Sequence, residues 1–404
     1  MKPNFPGAEV SSPGADGTGL DSTLAACLTP PGRAAIATLG VLGSRAWEIV
    51  REIFHTSSAP EKKLPDNPDP CGIWLGRIGE KDTVADQVVV TVPQTGPIPW
   101  VEVHCHGGTE TVRWLLEILE REGCQVCTWP ELEQATASDP WKTAASLELV
   151  QASTIRTAAI LLDQYHGAFK RALTEIETML TNKDMAATSR LLESVTRYAN
   201  VGRHLVIPWN VAVIGPPNVG KSSLVNALAG FQRSIVAPTS GTTRDLVTTL
   251  IAVDGWPVEL IDTAGLRQET RSIEDQGIML ARDAAASADL CLWVLDASAP
   301  PIWPEDNLAT QRKLKFIANK TDLPPAWEID NSPALPVSAL TGEGLPQLLD
   351  AMVQCLVPDA PPPGAAVPFT SNLACQIEEA LKHARTGRID EVKQLLSTLA
   401  NAAR

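Results

Sequence analysis

The pattern of apolar and polar positions divides the 404-residue chain into stretches of different character. Residues 1–140 mix short apolar runs, which predict strands, with apolar residues at helical spacing. Residues 141–207 place apolar residues three and four positions apart, which is typical of amphipathic helices. Residues 208–357 alternate apolar runs with helical stretches, as a doubly wound parallel sheet does. The pattern therefore predicts an α/β chain with a helical part.

The two ends of the chain differ from these stretches. Residues 1–19 are rich in Pro, Gly and Ser and lack the basic and apolar regions of a signal peptide, so we expect a disordered tail. A proline-rich run predicts a stiff linker, and two helices after it, 373–385 and 389–403, are expected to pack back on the helical part. The predicted domains are a tail (1–19), an N-terminal α/β domain (20–140), a helical domain (141–207 and 365–404), an inserted domain with the doubly wound sheet (208–357) and a linker (358–368).

Residues 215–222, G-P-P-N-V-G-K-S, match the phosphate-binding loop pattern G-x-x-x-x-G-K-[ST]. An apolar strand candidate precedes the loop and helix-like residues follow it, as this motif requires. Backbone N–H groups of such a loop wrap the β-phosphate, Lys221 reaches the β and γ oxygens, and the Ser222 hydroxyl binds Mg²⁺. The alternative, a glycine-rich turn without a ligand, is disfavoured because four further motifs follow in order.

Two of these motifs predict contacts to the γ-phosphate and the metal. Residues 241–245, G-T-T-R-D, lie between the first helix and the next strand, and Thr243 is our candidate to close over the γ-phosphate and complete the Mg²⁺ shell. The apolar run before Asp262-Thr-Ala-Gly265 ends in a carboxylate that holds Mg²⁺, directly or through water. The N–H of Gly265 can approach the γ-phosphate.

The remaining two motifs select guanine. In Asn319-Lys320-Thr-Asp322, the carboxylate of Asp322 accepts from the base N1–H and exocyclic amine, which adenine does not present in that form. The backbone of Ser338-Ala339-Leu340 can donate to the guanine O6. Five motifs in register predict a P-loop GTPase domain binding GTP or GDP. The predicted nucleotide contacts are Gly215, Asn218, Val219, Gly220, Lys221, Ser222, Ser223, Thr242, Thr243, Asp262, Gly265, Asn319, Lys320, Asp322, Ser338 and Ala339, with Mg²⁺ on Ser222, Thr243 and Asp262.

The third motif departs from Ras-like switches, in which a glutamine after the glycine orients the attacking water. Leu266 stands at that position, and its apolar side chain cannot orient water. No built-in arginine finger is obvious in the sequence, although Arg244 and Arg267 are not excluded as candidates for this role. Asn218 is consistent with GTPases that place a monovalent cation where the finger would sit; the alternative is an ordinary turn residue. Carboxylates that could position water are Glu269, Glu274 and Asp275.

Two N-terminal stretches add a family resemblance. Residues 21–33 read D-S-T-L-A-A-C-L-T-P-P-G-R and residues 101–108 read V-E-V-H-C-H-G-G. With the five motifs they make the chain resemble the MnmE (TrmE) family of tRNA-modifying GTPases, from residue 21 to the late 350s. The resemblance implies that Glu274 is the catalytic glutamate acting through water, beside Lys221, Thr243 and Gly265. It also implies K⁺ held by Asn218, Thr242 and the backbone around Ala237 and Thr239.

The resemblance further implies a homodimer through the N-terminal domain, an FAD-dependent tRNA-modification partner and a formyl-tetrahydrofolate site at the dimer interface. An arginine, a glutamate and a lysine of that site fall on Gly40, Ile98 and Ser146, which carry no charge. The family's Pro-Gly-Glu-Phe-Thr segment is replaced around 127–139, and the sequence ends without Cys-x-Gly-Lys. Because folate would lose its charge-assisted hydrogen bonds, we expect no tetrahydrofolate binding.

Composition narrows the classes of partner. A net charge of −14 and a pI near 4.9 argue against binding nucleic acid over the whole surface, so we expect tRNA to be reached indirectly. No apolar run approaches the ~20 residues of a membrane span, which predicts a cytoplasmic protein without membrane contact. Eight cysteines suggest no disulfide framework. For Cys124/Cys127 and for His104/His106, packing is favoured over a metal or redox site.

Three functions remain open from the sequence. The leading prediction is a K⁺-assisted GTPase of the MnmE type in wobble-uridine modification of tRNA. The alternative is a folate-independent, GTP-dependent interaction switch derived from it. A ribosome-assembly GTPase like Era or Der shares some motifs, but the acidic charge, the single GTPase domain and the Thr-Pro-Pro-Gly-Arg opening disfavour it. The sequence leaves open whether the flavoprotein partner binds.

Overall fold

The structure is a computed structural model that describes residues 22–30, 32, 34–56, 64–70, 72–79, 85–135, 139–231, 247–262, 288–304 and 313–402. The chain separates into two compact units, Met1–Pro140 and Trp141–Arg404. None of the helices in the described ranges has the length and hydropathy of a membrane span.

The first unit contains a seven-stranded sheet in the order β3-β4-β5-β6-β2-β1-β7. Neighbouring strands run antiparallel, except that β7 pairs with β1 in parallel. The strands are β1 (Thr23–Cys27), β2 (Ile36–Leu42), β3 (Phe54–Thr56), β4 (Ile73–Gly79), β5 (Ala85–Gln94), β6 (Trp100–His106) and β7 (Cys124–Val126), and the helices are α1 (Ala46–Ile53), α2 (Thr109–Arg121) and α3 (Trp129–Ala135).

Alternation along the strands sorts the side chains of this sheet onto two faces. One face packs against α1 and α2 in a core that includes Leu39, Val90, Val103 and Leu115. On the other face α3 inserts Leu132 over the β1–β2 end of the sheet. Burying such side chains contributes about 1.5–3 kcal/mol each relative to exposure, so the main core fixes the strand register.

The His-Gly-Gly segment shapes the turn from β6 into α2. The backbone of Gly107 exchanges hydrogen bonds with Ala34 and Ala35, and a Cβ at Gly107 would lie 2.3 Å from the Ala34 backbone oxygen. Gly108 then forms the N-cap of α2. The first of the two glycines is therefore required by close packing of the backbone.

The second unit begins with a helical bundle, α4 (Pro140–Gln151), α5 (Ile155–Tyr165), α6 (Ala168–Thr181), α7 (Met185–Thr196) and α8 (Ala199–Arg203). Side chains cap two of these helices: Thr154 Oγ1 accepts from the Thr157 N–H, and Asp184 Oδ1 accepts from the Ala187 N–H. Such caps typically contribute about 1 kcal/mol each, and they mark where α5 and α7 begin.

The C-terminal helices return to the same bundle. Helices α11 (Ser371–Arg385) and α12 (Ile389–Ala402) pack against α6, α7 and α8. The Arg203 guanidinium donates to both carboxylate oxygens of Glu378, at 3.0 and 2.6 Å. The proline-rich run before α11 also packs, because Gln164 bonds the backbone of Ala365 and Val367. This run is therefore part of the bundle surface as well as a connection.

In sequence, the residues between the two parts of the bundle form a six-stranded sheet in the order β13-β12-β11-β8-β10-β9. Its elements are β8 (Trp209–Ile214), α9 (Lys221–Phe231), β9 (Val247–Val253), β10 (Trp256–Asp262), β11 (Leu290–Asp296), β12 (Leu314–Asn319), β13 (Ala334–Val337) and α10 (Leu345–Leu356). Five strands are parallel, as predicted, but β9 pairs antiparallel with β10. The carboxyl ends of the five parallel strands therefore meet at one edge of the sheet.

The turn between β9 and β10 packs against the helical bundle. Thr154 Oγ1 donates to the Gly255 backbone oxygen over 2.6 Å, and Arg156 pairs with Asp254 at 3.2 Å. The Arg156 guanidinium also lies 5.3 Å from the centre of the Trp256 ring. These contacts fix the antiparallel edge of the sheet to α5.

Candidate nucleotide-binding site

The phosphate loop joins the carboxyl end of β8 to the first turn of α9. Gly215, Asn218 and Gly220 have φ angles of 141°, 65° and 91°. A Cβ at Gly215 would lie 2.5 Å from the Val294 backbone oxygen, and one at Gly220 would lie 2.4 Å from Asn319 Nδ2. Asparagine tolerates the left-handed conformation better than most residues, which suits Asn218. The loop therefore requires its glycines for both backbone angle and close approach.

Lys221 lies inside this loop and is only 9% exposed. Its ammonium donates to the backbone oxygens of Gly215 and Pro216, at 3.0 and 2.7 Å. A buried ammonium ion that donates to backbone carbonyls can bind phosphate oxygens, because these oxygens can replace the carbonyls as acceptors. Ser222 and Ser223 are exposed at the start of α9, where a helix N-terminus favours anions.

A buried carboxylate stands at the neighbouring strand end. Asp262 closes β10 opposite Val213 of β8, one residue before that strand ends, and is 6% exposed. Mg²⁺ prefers oxygen ligands, and its usual protein ligands in such sites are one or two carboxylate or hydroxyl groups beside phosphates. The carboxylate of Asp262 and the hydroxyl of Ser222 fit this donor set.

The guanine-recognition residues form a hydrogen-bonded group next to the phosphate loop. Asn319, 1% exposed at the end of β12, donates from Nδ2 to the Val219 backbone oxygen over 2.9 Å and accepts from the Ala339 N–H over 3.0 Å. The exposed Asp322 accepts from Ser338 Oγ over 2.6 Å. Three motifs that are distant in sequence are thus brought together at one edge of the sheet.

Lys320 connects this hydrogen-bonded group to a carboxylate, that of Asp296, which is not part of any of the five sequence motifs. Its ammonium donates to the Asn218 backbone oxygen over 2.8 Å and to Asp296 Oδ2 over 2.6 Å. Asp296 ends the apolar run of β11 as Asp262 ends that of β10, and this shared pattern is the signal that could have identified it. A cleft of about 250 Å³ opens here, lined by Pro216, Pro217, Asn218, Val219, Leu295, Asp296, Ala299, Pro300, Ile302 and Lys320.

Several predicted residues lie outside the described residues. They include the candidates for the γ-phosphate, the catalytic water and part of the K⁺ site, namely Ala237, Thr239, Thr242, Thr243, Gly265 and Glu274. Their roles stay predictions.

The histidines and cysteines of the first unit make contacts within the protein. His104 Nδ1 lies 3.0 Å from Thr38 Oγ1, and His106 Nδ1 lies 2.5 Å from Asp86 Oδ1. Burial raises the pKa of the Cys124 thiol to about 11, which is opposite to the shift that activates redox cysteines. Among the described residues no group of three metal-ligating side chains occurs. The hydrogen bonds of the two histidines and the raised pKa of the Cys124 thiol are consistent with packing.

A family model matches part of each unit. Residues 23–131 match the model described as the N-terminus of the GTP-binding protein TrmE. Residues 210–325 match the model described as a 50S ribosome-binding GTPase. The predictions of an N-terminal TrmE-type domain and of a P-loop GTPase domain are confirmed.

Curated relatives extend the match over most of the chain. A tRNA modification GTPase MnmE of Thermus thermophilus is 32% identical over 372 residues, covering 84% of this chain and 83% of the relative. The protein of the same name from Moorella thermoacetica is 30% identical over 405 residues, covering 87% and 86%. The solved G domain of the T. maritima FeoB iron transporter is 28% identical, with a TM-score of 0.27 and coverage of 36% of this chain and 98% of that one. The chain belongs to the MnmE family of tRNA modification GTPases.

Proposed function

We propose that this protein binds GTP through the residues assembled at the carboxyl edge of its second sheet and hydrolyses it in the course of tRNA wobble-uridine modification. The observation that carries the proposal is the direct bonding of Asn319 to Val219 of the phosphate loop and to Ala339. This bonding sets phosphate binding and base recognition at a fixed separation. In this proposal the Asp322 carboxylate accepts hydrogen bonds from the guanine base, and the Lys221 ammonium binds the β and γ phosphate oxygens and neutralises part of their charge.

Mg²⁺ binding is proposed for Ser222 and Asp262, with Thr243 completing the shell. The exposed hydroxyl and the buried carboxylate supply oxygen ligands of the type that Mg²⁺ prefers. When bound, the ion would neutralise charge on the β and γ phosphate oxygens. Gly265 is assigned to the γ-phosphate, and K⁺ to Asn218, Thr242 and the backbone around Ala237 and Thr239.

A second copy of the chain is the proposed partner of the N-terminal unit. Ile36, Ile73 and Leu75 are 64%, 73% and 55% exposed and stand on the sheet face opposite α1 and α2. Ile73 and Leu75 are neighbours on this face of β4, and Ile36 lies on β2, with β5 and β6 between the two strands. Exposed apolar side chains on one sheet face support an interaction site. Because the chain carries a net charge of −14, we assign tRNA contact to the complex with an FAD-dependent partner.

Guanine selectivity tests the assignment of Asp322. Asp322→Asn is expected to weaken GTP binding by on the order of 10–100-fold, because a hydrogen bond to a charged group is lost. The same variant should bind xanthosine triphosphate better than the wild type does, since the amide can donate to the xanthine carbonyl. Competition against a fluorescent guanine nucleotide measures both effects.

The matched control is Asp330→Asn, which removes another exposed carboxylate from the same connection between β12 and β13. It should leave GTP binding unchanged. ATP that competes with the fluorescent nucleotide as well as GTP does would show that the base assignment is wrong.

The cellular role is tested by the tRNA itself. Deleting the gene should lower the wobble-uridine modification of tRNA, measured by mass spectrometry of digested nucleosides. Re-expression of the wild type should restore the modification. Re-expression of Lys221→Ala should not, because this variant lacks the ammonium ion that binds the phosphate oxygens. Unchanged modification in the deletion strain would favour the alternative, a GTP-dependent interaction switch.

We also expect the N-terminal unit not to bind 5-formyl-tetrahydrofolate. A Cβ at Gly40 would lie within 3.1 to 3.3 Å of Leu132, Trp100 and Leu28, and Ile98 packs in the same apolar cluster. This cluster offers no charge to the folate carboxylates, and unpaired buried charges cost several kcal/mol each. Calorimetry should show no heat of binding for folate, while GDP added to the same sample gives a normal titration. A micromolar folate affinity would contradict the expectation.

A further inference from the structure

The carboxylate of Asp296 connects guanine recognition with the phosphate loop. Asp296 ends β11 and pairs in register with Asn319, the residue before Lys320. The Lys320 ammonium lies 2.6 Å from Asp296 Oδ2 and 2.8 Å from the Asn218 backbone oxygen. One ammonium ion therefore bridges a carboxylate on a strand end and the tip of the phosphate loop.

Asp296 is itself held in place from three sides. Its Oδ1 accepts from the N–H and the hydroxyl of Ser298, at 2.9 and 2.7 Å, and its backbone oxygen accepts from Trp327 Nε1 at 2.9 Å. Burial raises the pKa of Asp296, but the hydrogen bonds from Lys320 and Ser298 outweigh burial and hold the pKa below its ordinary value. The carboxylate is thus ionised at neutral pH and fixed in direction.

Lys320 and Asn218, the phosphate-loop residue that its ammonium binds, both have left-handed backbones. Lys320 has a φ of 70° and Asn218 a φ of 65°. A lysine gains nothing locally from this conformation, unlike asparagine, so the surrounding contacts have to stabilise it. The ion pair with Asp296, at 2.6 Å, is a charge-assisted contact of the Lys320 side chain and is shorter than its 2.8 Å bond to the Asn218 backbone oxygen.

We propose that Asp296 is a positioning residue for guanine-nucleotide binding, which acts by fixing the ammonium of Lys320 against Asn218. This inference rests on the proposed function, in which Lys320 and the phosphate loop contact the nucleotide. With the carboxylate present, the lysine and the loop are ordered before the nucleotide arrives. Without it, their ordering opposes binding and the bound nucleotide leaves faster.

The release rate of a fluorescent GDP analogue tests the proposal. Asp296→Asn is expected to accelerate release about tenfold, the size of the loss of one charge-assisted hydrogen bond. Asparagine keeps an oxygen acceptor for Ser298, so the local turn can be retained, and thermal melting monitors the fold. Lys320→Met removes the other partner together with its own contact to the nucleotide, so it should accelerate release at least as much as Asp296→Asn.

A double-mutant cycle separates positioning from a loss of structure. If Asp296 acts through Lys320, adding Asp296→Asn to Lys320→Met should change release by less than about twofold, because the interaction is already absent. The control variant is Asp289→Asn, which changes a carboxylate just before the other end of β11, where it accepts from the Asn210 N–H. It should leave GDP release unchanged even if it lowers the melting temperature.

The outcomes distinguish this inference from the proposed function. Wild-type protein that prefers GDP to ADP supports the proposed function whatever the variants do. The positioning role is wrong if the Asp296→Asn variant releases GDP at the wild-type rate. It is also wrong if the effects of Asp296→Asn and Lys320→Met on the release rate are fully additive in the double variant. Wild-type protein that does not discriminate GDP from ADP overturns both the proposed function and the role of Asp296.

Discussion

Replacing Glu274 by alanine is expected to slow GTP hydrolysis by on the order of 10²-fold, the lower range for loss of a group that handles a proton in the transition state. Leu266 stands where Ras-like GTPases have their water-orienting glutamine, so another side chain has to position the water. The family resemblance assigns this role to Glu274. Affinity for GTP should hardly change, because the residue acts on water and not on bound phosphate.

Glu269→Ala and Asp275→Ala are the matched controls, since each removes a carboxylate from the same segment. Single-turnover hydrolysis measures the chemical step, and titration with a non-hydrolysable GTP analogue measures binding. If Glu274→Ala hydrolyses GTP at the wild-type rate while one of the controls is slow, the role belongs to that neighbour. A large loss of analogue affinity in Glu274→Ala would instead indicate a structural effect.

Much of the candidate site could be predicted because four of the five motifs directly follow or end a strand. An apolar run followed by Asp262, and another followed by Asn319, place their polar groups at strand ends. Parallel strands bring these ends to one edge of the sheet, so the order of motifs along the chain already implies their proximity. Asn319, Val219 and Ala339 are hydrogen-bonded in this way.

Asp296 and Trp327 were missed for a physical reason. Their contribution arises from contacts between segments that no short motif contains, such as the bond from Trp327 Nε1 to the Asp296 backbone oxygen. Only the register of β11 against β12 places Asp296 beside Lys320. An aspartate at the end of an apolar strand was a visible signal, but the sequence does not say which strand lies next to it.

The antiparallel strand β9 shows a similar limit. Asp254-Gly255 between two apolar runs is a strong hairpin signal, and the structure forms that turn, with φ angles of 47° and 77°. The prediction of a doubly wound parallel sheet rested on the general alternation of strands and helices, and this local signal adds the antiparallel edge strand β9 to it. The proline-rich run at 358–368 differs in kind, because its packing on Gln164 depends on residues about two hundred positions away.

Hydrolysis is expected to be on the order of 10²-fold faster in K⁺ than in Na⁺ at equal ionic strength, a sizeable part of the roughly 10³–10⁵ that an arginine finger supplies. The motivation is Asn218 in the phosphate loop, the loop at 241–245, and the lack of an obvious finger in the sequence. A monovalent cation beside the β and γ phosphates would neutralise the charge that develops as the bond breaks. The rate should be measured over protein concentrations that permit dimerisation.

Asn218→Gly tests the ligand itself, because glycine keeps the left-handed backbone at a φ of 65° and removes only the side chain. The variant should lose most of the difference between the two salts while its rate in Na⁺ changes little. Lys183→Gly is the matched control, since Lys183 also has a positive φ, 58°, but lies in the helical bundle between α6 and α7. Equal wild-type turnover in K⁺ and Na⁺ at all protein concentrations would show that no such cation acts. A salt difference that survives Asn218→Gly would move the cation to other ligands, because the side-chain amide of Asn218 is the only group this substitution takes from the site.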